Sequence, residues 1–443
     1  MVLNRSLMLL ALSQLAVASW ATLVYVSDIN NDSVLKFEAD TGEYKGSIGT
    51  GLVPNLLSVE QSPFDDNLYV TCTSGTGFIV RLNPYTGEYL GMIGNGFLEF
   101  PDDIAFGPDG TLYVTDLKST GGCILKFNPT TGEYLGIIGN GFLGSANWGH
   151  SIDVNDSNVV YVIGAGGTAI QKFNGLTGEY LGVIGSGFFS NGRGLVLTNI
   201  GGEEHVLSGI ASSQGSVLKF KTSDSSYQGV LASGGFVPNV RAIDVMPNGW
   251  LLARGYSNPT EYVARFVPDT GEYKGLFAAN WGISGYGIAV ETPATVTGTL
   301  VFGNYVGSGV SRPVTFEFYD GATFIDSTTI NVTPNGGTPV AYSVDTDARG
   351  ASITVKANGT RWLKEAVVAN ISGPGATGVN LTLQNGDPDL TGEVDAADID
   401  MVILNFGSVF PGPGPEDSDI DGSGEVDAAD IDVVIANFGA IDD

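Results

Sequence analysis

Two twelve-residue segments near the C-terminus carry the side chains best suited to chemistry, DPDLTGEVDAAD (387–398) and DIDGSGEVDAAD (419–430), offset by 32 residues. Both place acids or hydroxyls at loop positions 1, 3, 5, 9 and 12, and glycine at position 6. Calcium takes six to eight oxygen ligands around a tight turn, with position 7 giving its backbone carbonyl. We therefore expect two calcium ions, the alternative being a disordered acidic tail. The expected ligands are Asp387, Asp389, Thr391, Glu393, Asp395, Asp398, Asp419, Asp421, Ser423, Glu425, Asp427 and Asp430.

One amphipathic helix is expected after each loop, because apolar residues follow at the spacing i, i+3, i+4, i+7. They are Ile399, Val402, Ile403 and Phe406, then Ile431, Val434, Ile435 and Phe438. Each loop ends in Asp and is followed, but not preceded, by a helix, and the two copies flank a PGPGP linker. In these features residues 386–440 resemble a type I dockerin. The resemblance implies two ions that order the fold and a cohesin-facing surface displayed twice. The loop positions that help contact a cohesin in that family are alanines here: Ala396, Ala397, Ala428 and Ala429.

A second candidate site is a set of polar residues at equivalent positions of a repeat described below, each two residues before an apolar pair. They are Asn55, Asp102, His150, Arg193, Arg241 and Tyr286, and two of the segments that precede these positions share ANWG, with Trp148 and Trp281. Two guanidinium groups can bind a carboxylate, and tryptophan faces suit a sugar or a peptide. We expect this set to surround the mouth of a central channel and to bind a ligand.

Catalysis at the same mouth is a further hypothesis. His150 between Asp102 and Arg193 could act as a general base, and Tyr286 as an acid. That combination would suit proton abstraction beside a carboxylate followed by elimination, as in lyases of uronic-acid polymers. The alternative is a solvated entrance whose ion pairs contribute little.

The repeat that positions these residues has a period of about 46 residues, marked by Tyr44, Tyr89, Tyr134, Tyr180, Tyr227 and Tyr273. Within residues 101–141 four short runs rich in β-branched and aromatic residues alternate with turn residues, which predicts a four-stranded antiparallel sheet. Six such sheets predict a six-bladed β-propeller over residues 22–293. The first unit lacks its first strand, and GYGIAVETP (285–293) matches it, so we expect this late segment to close the ring.

The DDIAFGPDG, TLYVTD and CILKF runs resemble NHL-repeat propellers, and this resemblance implies the fold but no activity. The glycines of GSIGTG, GMIGNG, GIIGNG and GVIGSG occupy one outer-strand position in four units. No helical pattern follows them, so they predict turns and bulges and exclude a phosphate-binding loop.

Residues 294–385 lose this period and contain about seven alternating runs, which predict a β-sandwich. The segments VTGTLVF and ASITVKANGTRWLKEAV resemble prealbumin-like, carboxypeptidase-regulatory-like domains. That resemblance implies a spacer or adhesive module without catalytic residues. The whole chain is therefore expected to be mainly β, with a small α-helical calcium-binding dockerin at residues 386–443.

The N-terminus, charge and cysteines set further limits. Residues 1–21 combine Arg5, an apolar run and small residues, which predicts a signal peptide and export, the alternative being a buried helix. The formal charge of −29, with sixteen acids and no base in residues 387–443, disfavours nucleic acid. No later segment is apolar for long enough to cross a bilayer. Cys72 and Cys123 are either two buried thiols or one disulfide.

Two functions from different classes remain. The first is a secreted calcium-binding protein whose dockerin attaches a propeller binding module to an extracellular scaffold or cell surface, through a cohesin-like partner. The second is a carbohydrate-active lyase or hydrolase, with a polysaccharide or peptide ligand at the channel mouth.

Overall fold

The computed structural model describes residues 22–117, 121–143, 151–232, 237–257, 260–279, 285–359, 361–372, 375–409 and 418–443. These residues form two compact units, one of residues 22–293 and one of residues 294–371 and 375–443. The predicted mainly β fold class is confirmed, with two short helices near the C-terminus. No helix among the described residues is long and apolar enough to cross a membrane.

The first unit consists of six four-stranded antiparallel sheets, which we number as blades 1 to 6. Blade 1 holds β1 (Leu23–Asp28), β2 (Ser33–Glu38), β3 (Tyr44–Ile48) and β24 (Ile288–Val290); blade 2 holds β4 (Leu56–Gln61), β5 (Leu68–Cys72), β6 (Phe78–Leu82) and β7 (Tyr89–Ile93); blade 3 holds β8 (Pro101–Phe106), β9 (Leu112–Asp116), β10 (Cys123–Phe127) and β11 (Tyr134–Ile138). Blade 4 holds β12 (Ile152–Val154), β13 (Val159–Ile163), β14 (Ile170–Asn174) and β15 (Tyr180–Ile184); blade 5 holds β16 (Gly192–Ile200), β17 (Glu203–Ile210), β18 (Ser216–Lys221) and β19 (Tyr227–Ala232); blade 6 holds β20 (Val240–Val245), β21 (Leu251–Ser257), β22 (Thr260–Phe266) and β23 (Tyr273–Ala279).

The late strand β24 closes the ring, as the sequence predicts. It pairs antiparallel with β1, with Ile288 opposite Val26, so the innermost strand of blade 1 comes from the far end of the unit. The Leu23 N–H donates to Glu291 Oε2 at 2.9 Å, which fixes the same junction. The six innermost strands pack against one another in cyclic order, ending with β24 against β4. Each of them therefore faces one central channel.

Each outer strand carries one glycine at a β-bulge. Gly46, Gly91, Gly136, Gly182, Gly229 and Gly275 all have φ between 103° and 127°, beside a register shift in the pairing with the preceding strand. Space around these glycines is mostly open, so the backbone angle and not crowding requires the missing side chain. The repeated glycines are architectural, as predicted.

Apolar contacts between neighbouring blades hold the ring together. The second strand of each blade is largely buried, and in blades 1 to 4 its tyrosine, for example Tyr69 or Tyr113, joins the core of the next blade. At the rim an exposed phenylalanine stacks on the outer-strand tyrosine of the following blade. The ring centroids are 4.8 Å apart for Phe97–Tyr134, 4.8 Å for Phe142–Tyr180 and 4.4 Å for Phe188–Tyr227.

The second unit begins with a β-sandwich whose sheets share one apolar core that includes Phe316, Val344 and Trp362. One sheet has the order β28-β25-β31, with β32 also on β25, and the other has the order β27-β26-β29-β30. The strands are β25 (Ala294–Phe302), β26 (Arg312–Asp320), β27 (Thr323–Val332), β28 (Val340–Thr346), β29 (Gly350–Gly359), β30 (Trp362–Ile371), β31 (Gly375–Ala376) and β32 (Leu381–Leu383). All seven predicted runs form strands.

Two helices complete this unit, α1 (Ala396–Leu404) and α2 (Ala428–Ala436). Val402 and Val434 are buried together with Leu363 of the sandwich, so the helices and the sandwich share a small core. The rest of the expected apolar stripe is not all buried. Ile403 and Ile435 are 54% and 56% exposed, and Phe406 and Phe438 are each 55% exposed.

Both cysteines are buried free thiols without a disulfide between them. Burial raises the pKa of the Cys72 thiol to about 12, so it stays protonated and unreactive at neutral pH.

Candidate functional site

The two acidic loops each bring three carboxylates together. In the first loop these are Asp387, Asp389 and Asp398, and one oxygen of each lies within 4.8 Å of the others. Asp419, Asp421 and Asp430 form the equivalent group in the second loop. These residues occupy loop positions 1, 3 and 12, so residues far apart in the loop converge as the sequence predicts.

The loop backbone keeps these carboxylates in place. The N–H groups of Thr391 and Gly392 donate to Asp387 at 3.0 Å each, and the Gly424 N–H donates to Asp419 Oδ2 at 3.1 Å. Gly392 has φ 83° and Gly424 has φ 95°, which is why position 6 is glycine. The hydroxyl at position 5 lies beside the carbonyl of position 7 in both loops, with Thr391 Oγ1 3.3 Å from the Glu393 oxygen and Ser423 Oγ 3.2 Å from the Glu425 oxygen.

Position 9 also caps the helix that follows each loop. The side chains of Asp395 and Asp427 accept hydrogen bonds from Ala397 and Ala429 at 2.7 Å and cap the two helices. The residue at position 12 completes a capping box, since Asp398 and Asp430 accept from the cap backbone N–H groups. Asp395 and Asp427 therefore lie outside the converging groups and fix where each helix begins.

The donor set fits calcium. Asp419 is fully buried, and its Oδ1 has no hydrogen-bond partner among the described residues, which is costly unless a cation completes it. Burial and the neighbouring acids raise the pKa of Asp398 to about 6 and raise that of Asp430 as well. Hard oxygen ligands with clustered negative charge are what calcium prefers.

A buried arginine of the sandwich joins the two loops. Arg361, at the turn between β29 and β30, donates from Nη1 to the Asp419 backbone carbonyl. Its own carbonyl accepts from the N–H groups of Gly386 and Asp387 at 3.3 Å each. Arg361 is fully buried, and its charge opposes the rise in the pKa of Asp419 that burial causes. Nothing in the loop sequences predicts this residue.

At the propeller mouth, β-bulges aim the predicted ring residues. The inner strands β8, β16 and β20 each shift register at the position of Asp102, Arg193 or Arg241. A bulge reorients one side chain relative to the rest of its strand. The bulge is therefore the local device that turns this position away from the regular alternation.

Arg241 is held by two aromatic rings and one carboxylate. Its guanidinium carbon lies 4.5 Å from the centre of the Tyr256 ring and 4.7 Å from that of Tyr286. Its Nη1 is 3.3 Å from Glu261 Oε1, and the other Glu261 oxygen binds the buried Arg254 at 2.6 Å. Arg254 also donates to the Gly287 carbonyl at 2.7 Å, which links the mouth to the closing strand.

Arg193 is the more available cation. Its Nε donates to Asn191 Oδ1 at 3.4 Å, and no carboxylate pairs with it among the described residues. Partial burial lowers its pKa, an effect opposed by the nearby Tyr286 and Asp102. Asp102 itself is buried, with 6% of its surface exposed.

One correction concerns the predicted ring. Asn55 lies before β4, is exposed with φ 53°, and donates its N–H to Asp32. Val59 pairs with Val70 in blade 2, just as Ile104 pairs with Val114 in blade 3. The ring position of blade 2 is therefore two residues before Val59, at the buried Leu57, and not at Asn55. His150, Trp148 and Trp281 lie outside the described residues.

The sequence argument missed four acids in the central channel. Glu60, Asp103, Asp153 and Asp244 all line one cavity of about 130 Å³, bounded by residues of all six innermost strands. A signal was present, because Ile-Asp-Val occurs in both blade 4 (152–154) and blade 6 (243–245). An acid between two core residues of an alternating strand must face the opposite side, which here is the channel.

No family model matches this chain, and no curated protein matches its sequence. Among solved structures, a chain of a nidogen/laminin complex is similar, with a TM-score of 0.50 and 13% identity over 61% of this chain and 99% of that one. TolB from Acinetobacter baumannii has a TM-score of 0.47 and 12% identity, over 61% of this chain and 66% of that one. A protein of unknown function from Bacteroides caccae has a TM-score of 0.47 and 12% identity, over 61% and 99%. The similarity to the chain of the nidogen/laminin complex supports a β-propeller fold and gives no information on activity.

Proposed function

We propose that this protein is a secreted, calcium-binding attachment protein, in which a dockerin-like C-terminal module links a propeller binding module to an extracellular scaffold. The observation that carries the proposal is the pair of converging carboxylate groups with the unpartnered Asp419 Oδ1. Six of the twelve expected ligands supply these groups, and the hydroxyls and carbonyls of positions 5 and 7 would complete each ion. Bound calcium would neutralise the loops and hold both helices.

The exposed apolar residues support attachment to a partner. Ile403 and Phe406 on α1 and its end correspond to Ile435 and Phe438 on the second helix, again offset by 32 residues. Both pairs are more than half exposed, so the same apolar surface is displayed twice. A dockerin-like module would use either copy to bind a cohesin-like domain.

The propeller would contribute a ligand site at its mouth. Arg193, which has no described carboxylate partner, and the stacked Arg241 favour an anionic group such as a carboxylate of a polysaccharide or peptide. The alternative of a lyase or hydrolase depends on His150, outside the described residues, and on Tyr286, whose ring covers Arg241. No observation on the described residues favours that alternative.

Calcium titration of the full chain by isothermal calorimetry tests the first part of the proposal. We expect two sites in the unsubstituted chain and one in Asp387→Asn or in Asp419→Asn. The matched controls are Asp400→Asn and Asp432→Asn, exposed acids of the same helices that face no loop. Two sites retained in both loop variants, or no calcium binding by the unsubstituted chain, would refute it.

Capture on an immobilised cohesin domain, with calcium or with a chelator, tests the attachment. We expect binding only with calcium, and binding lost only when Phe406→Ala and Phe438→Ala are combined, because either copy suffices. Unchanged capture by the double variant would show that this apolar surface is not the partner site. The Arg193→Ala variant should lose binding of oligogalacturonate to the propeller without any change in capture.

A further inference from the structure

The central channel of the propeller has an unusual charge distribution. Its lining contains four carboxylates, and none of the lining residues that the structure describes is Lys, Arg or His. The acids come from blades 2, 3, 4 and 6, and neither Arg193 nor Arg241 lines the cavity. Like charges so close in a protein interior repel one another and reduce stability.

Three of these acids lie at one level of the ring. The innermost strands can be aligned by their pairing with the second strand of each blade. In this alignment Glu60, Asp153 and Asp244 occupy the same position in blades 2, 4 and 6. The intervening blades 3, 5 and 1 place Ala105, Val196 and Ala289 there. Carboxylates and small apolar side chains therefore alternate around the axis.

The hydrogen bonds of these acids are unequal. Asp153 accepts from the Val154 and Leu197 N–H groups at 2.7 Å each, and Asp244 accepts from Val245 and Val290 at the same distances. Both carboxylates are thus fixed by the backbone of their own blade and of the next.

Glu60 differs from them, because it accepts no hydrogen bond from any described residue. Protein surrounds its side chain, and the part that remains accessible faces the channel. A carboxylate enclosed in this way without a donor lacks its natural partner.

We propose that the channel binds a protonated primary amine on a slender alkyl chain. An ammonium group has three N–H donors, which match three carboxylates spaced at alternate blades. The methylene groups would lie against Ala105 and Val196, which also line the cavity. Consistent with this, the only acid groups among the described residues that converge tightly enough for a metal ion are the two in the C-terminal loops.

Burial and mutual repulsion support the same site. They raise the pKa of Asp153 and of Asp244 to about 7 and raise that of Glu60 and Asp103 too. A bound cation would remove this repulsion, which lowers the stability of the propeller while the channel is empty. Replacing an acid by its amide should then stabilise the empty propeller while weakening the binding.

The test is calorimetric titration of the full chain, with calcium in excess to saturate the loops, using n-butylamine as the probe. We expect binding to the unsubstituted chain that is weaker on the order of tenfold in Glu60→Gln and in Asp153→Asn. The uncharged isostere n-butanol and the anion butyrate should not bind. Glu203→Gln is the control, an acid of the same propeller that pairs with Lys221 at the surface.

The outcomes separate this site from the mouth. Arg193→Ala should leave n-butylamine binding unchanged, and Glu60→Gln should leave oligogalacturonate binding unchanged. Equal affinity for n-butylamine in the Glu60→Gln and Glu203→Gln variants would overturn the proposal. So would n-butanol binding as tightly as the amine, or a third calcium ion that Glu60→Gln removes.

Discussion

The propeller and the C-terminal unit differ in the interactions that stabilise them. The propeller repeats one sheet six times, closes it with β24, and joins neighbouring blades by apolar cores and stacked rings. The C-terminal unit has two helices of nine residues each, loops dense in acids, and a small shared core. Helices so short are marginal in water without other support. Burial stabilises the first region, and we propose that cations stabilise the second.

The largest expected difference between the two regions follows removal of calcium. Two ions at one hundred times their dissociation constants would contribute about 5 kcal/mol, which corresponds to a shift of roughly 15 °C for a unit of this size. Scanning calorimetry with and without chelator should show this shift in one transition only, and the propeller transition should stay where it is. If the chelator shifted both transitions equally, or neither of them, calcium would not be what distinguishes the stability of the two regions.

The propeller should be more sensitive to Arg254→Met than to any loss of metal. Arg254 and Glu261 are 1% and 2% exposed, and Arg254 also holds Gly287 of the closing strand. Removing one partner of a buried ion pair costs about 3–5 kcal/mol. Urea unfolding should show this loss in the propeller transition alone. The exposed Lys274→Met, which breaks a surface pair with Glu272, is the control and should cost under about 1 kcal/mol.

In the C-terminal unit, Arg361→Met tests whether the sandwich and the loops unfold together. The change removes the donor to the Asp419 carbonyl, for a loss of about 2–3 kcal/mol. If the sandwich and the helices form one cooperative unit, near-ultraviolet dichroism of Trp362 and far-ultraviolet helix signal should be lost at the same urea concentration. Loss of the two signals at different urea concentrations would mean that the loops and the sandwich unfold independently.

The two regions should respond to pH in opposite directions. The pKa of Asp153 and Asp244 is about 7 in the fold, against about 4 in an unfolded chain. Between those values unfolding releases protons, so the free energy of unfolding of the propeller should fall by about 3 kcal/mol for each of the two carboxyl groups as pH rises from 4 to 7. Calcium ligands must be ionised, so the calcium-loaded C-terminal unit should instead weaken as pH falls. Thermal scans of Asp153→Asn with Asp244→Asn should flatten the propeller profile only.

The smallest expected effects concern the rim of the propeller. Phe97→Ala, Phe142→Ala and Phe188→Ala each remove one stacked pair between blades, at about 1 kcal/mol apiece. Because the repeats are separate, the three losses should add. Phe406→Ala, an equally exposed ring of the other unit, should leave stability unchanged within about 0.5 kcal/mol. Unequal costs among the three rim variants would show that the blades are not equivalent.

Local patterns in the sequence determined most of the architecture. The period of about 46 residues, the closing segment at 285–293 and the bulge glycines each depend on neighbours along the chain, and the structure confirms them. The carboxylates at loop positions 1, 3 and 12 also converge as their spacing predicts, because a twelve-residue turn brings them together by itself.

Only the tertiary structure decided where side chains from different blades and units meet. It placed Leu57, not Asn55, in the ring, because Val59 and not Leu57 pairs with the second strand at the level of Ile104 in blade 3. It set Glu60, Asp153 and Asp244 at one level of a channel, although about ninety residues separate each from the next. It also buried Arg361 between two loops that are distant in sequence. Spacing along one strand or loop is fixed by covalent geometry, whereas spacing across a ring is fixed by how sheets pack, which the sequence encodes only collectively.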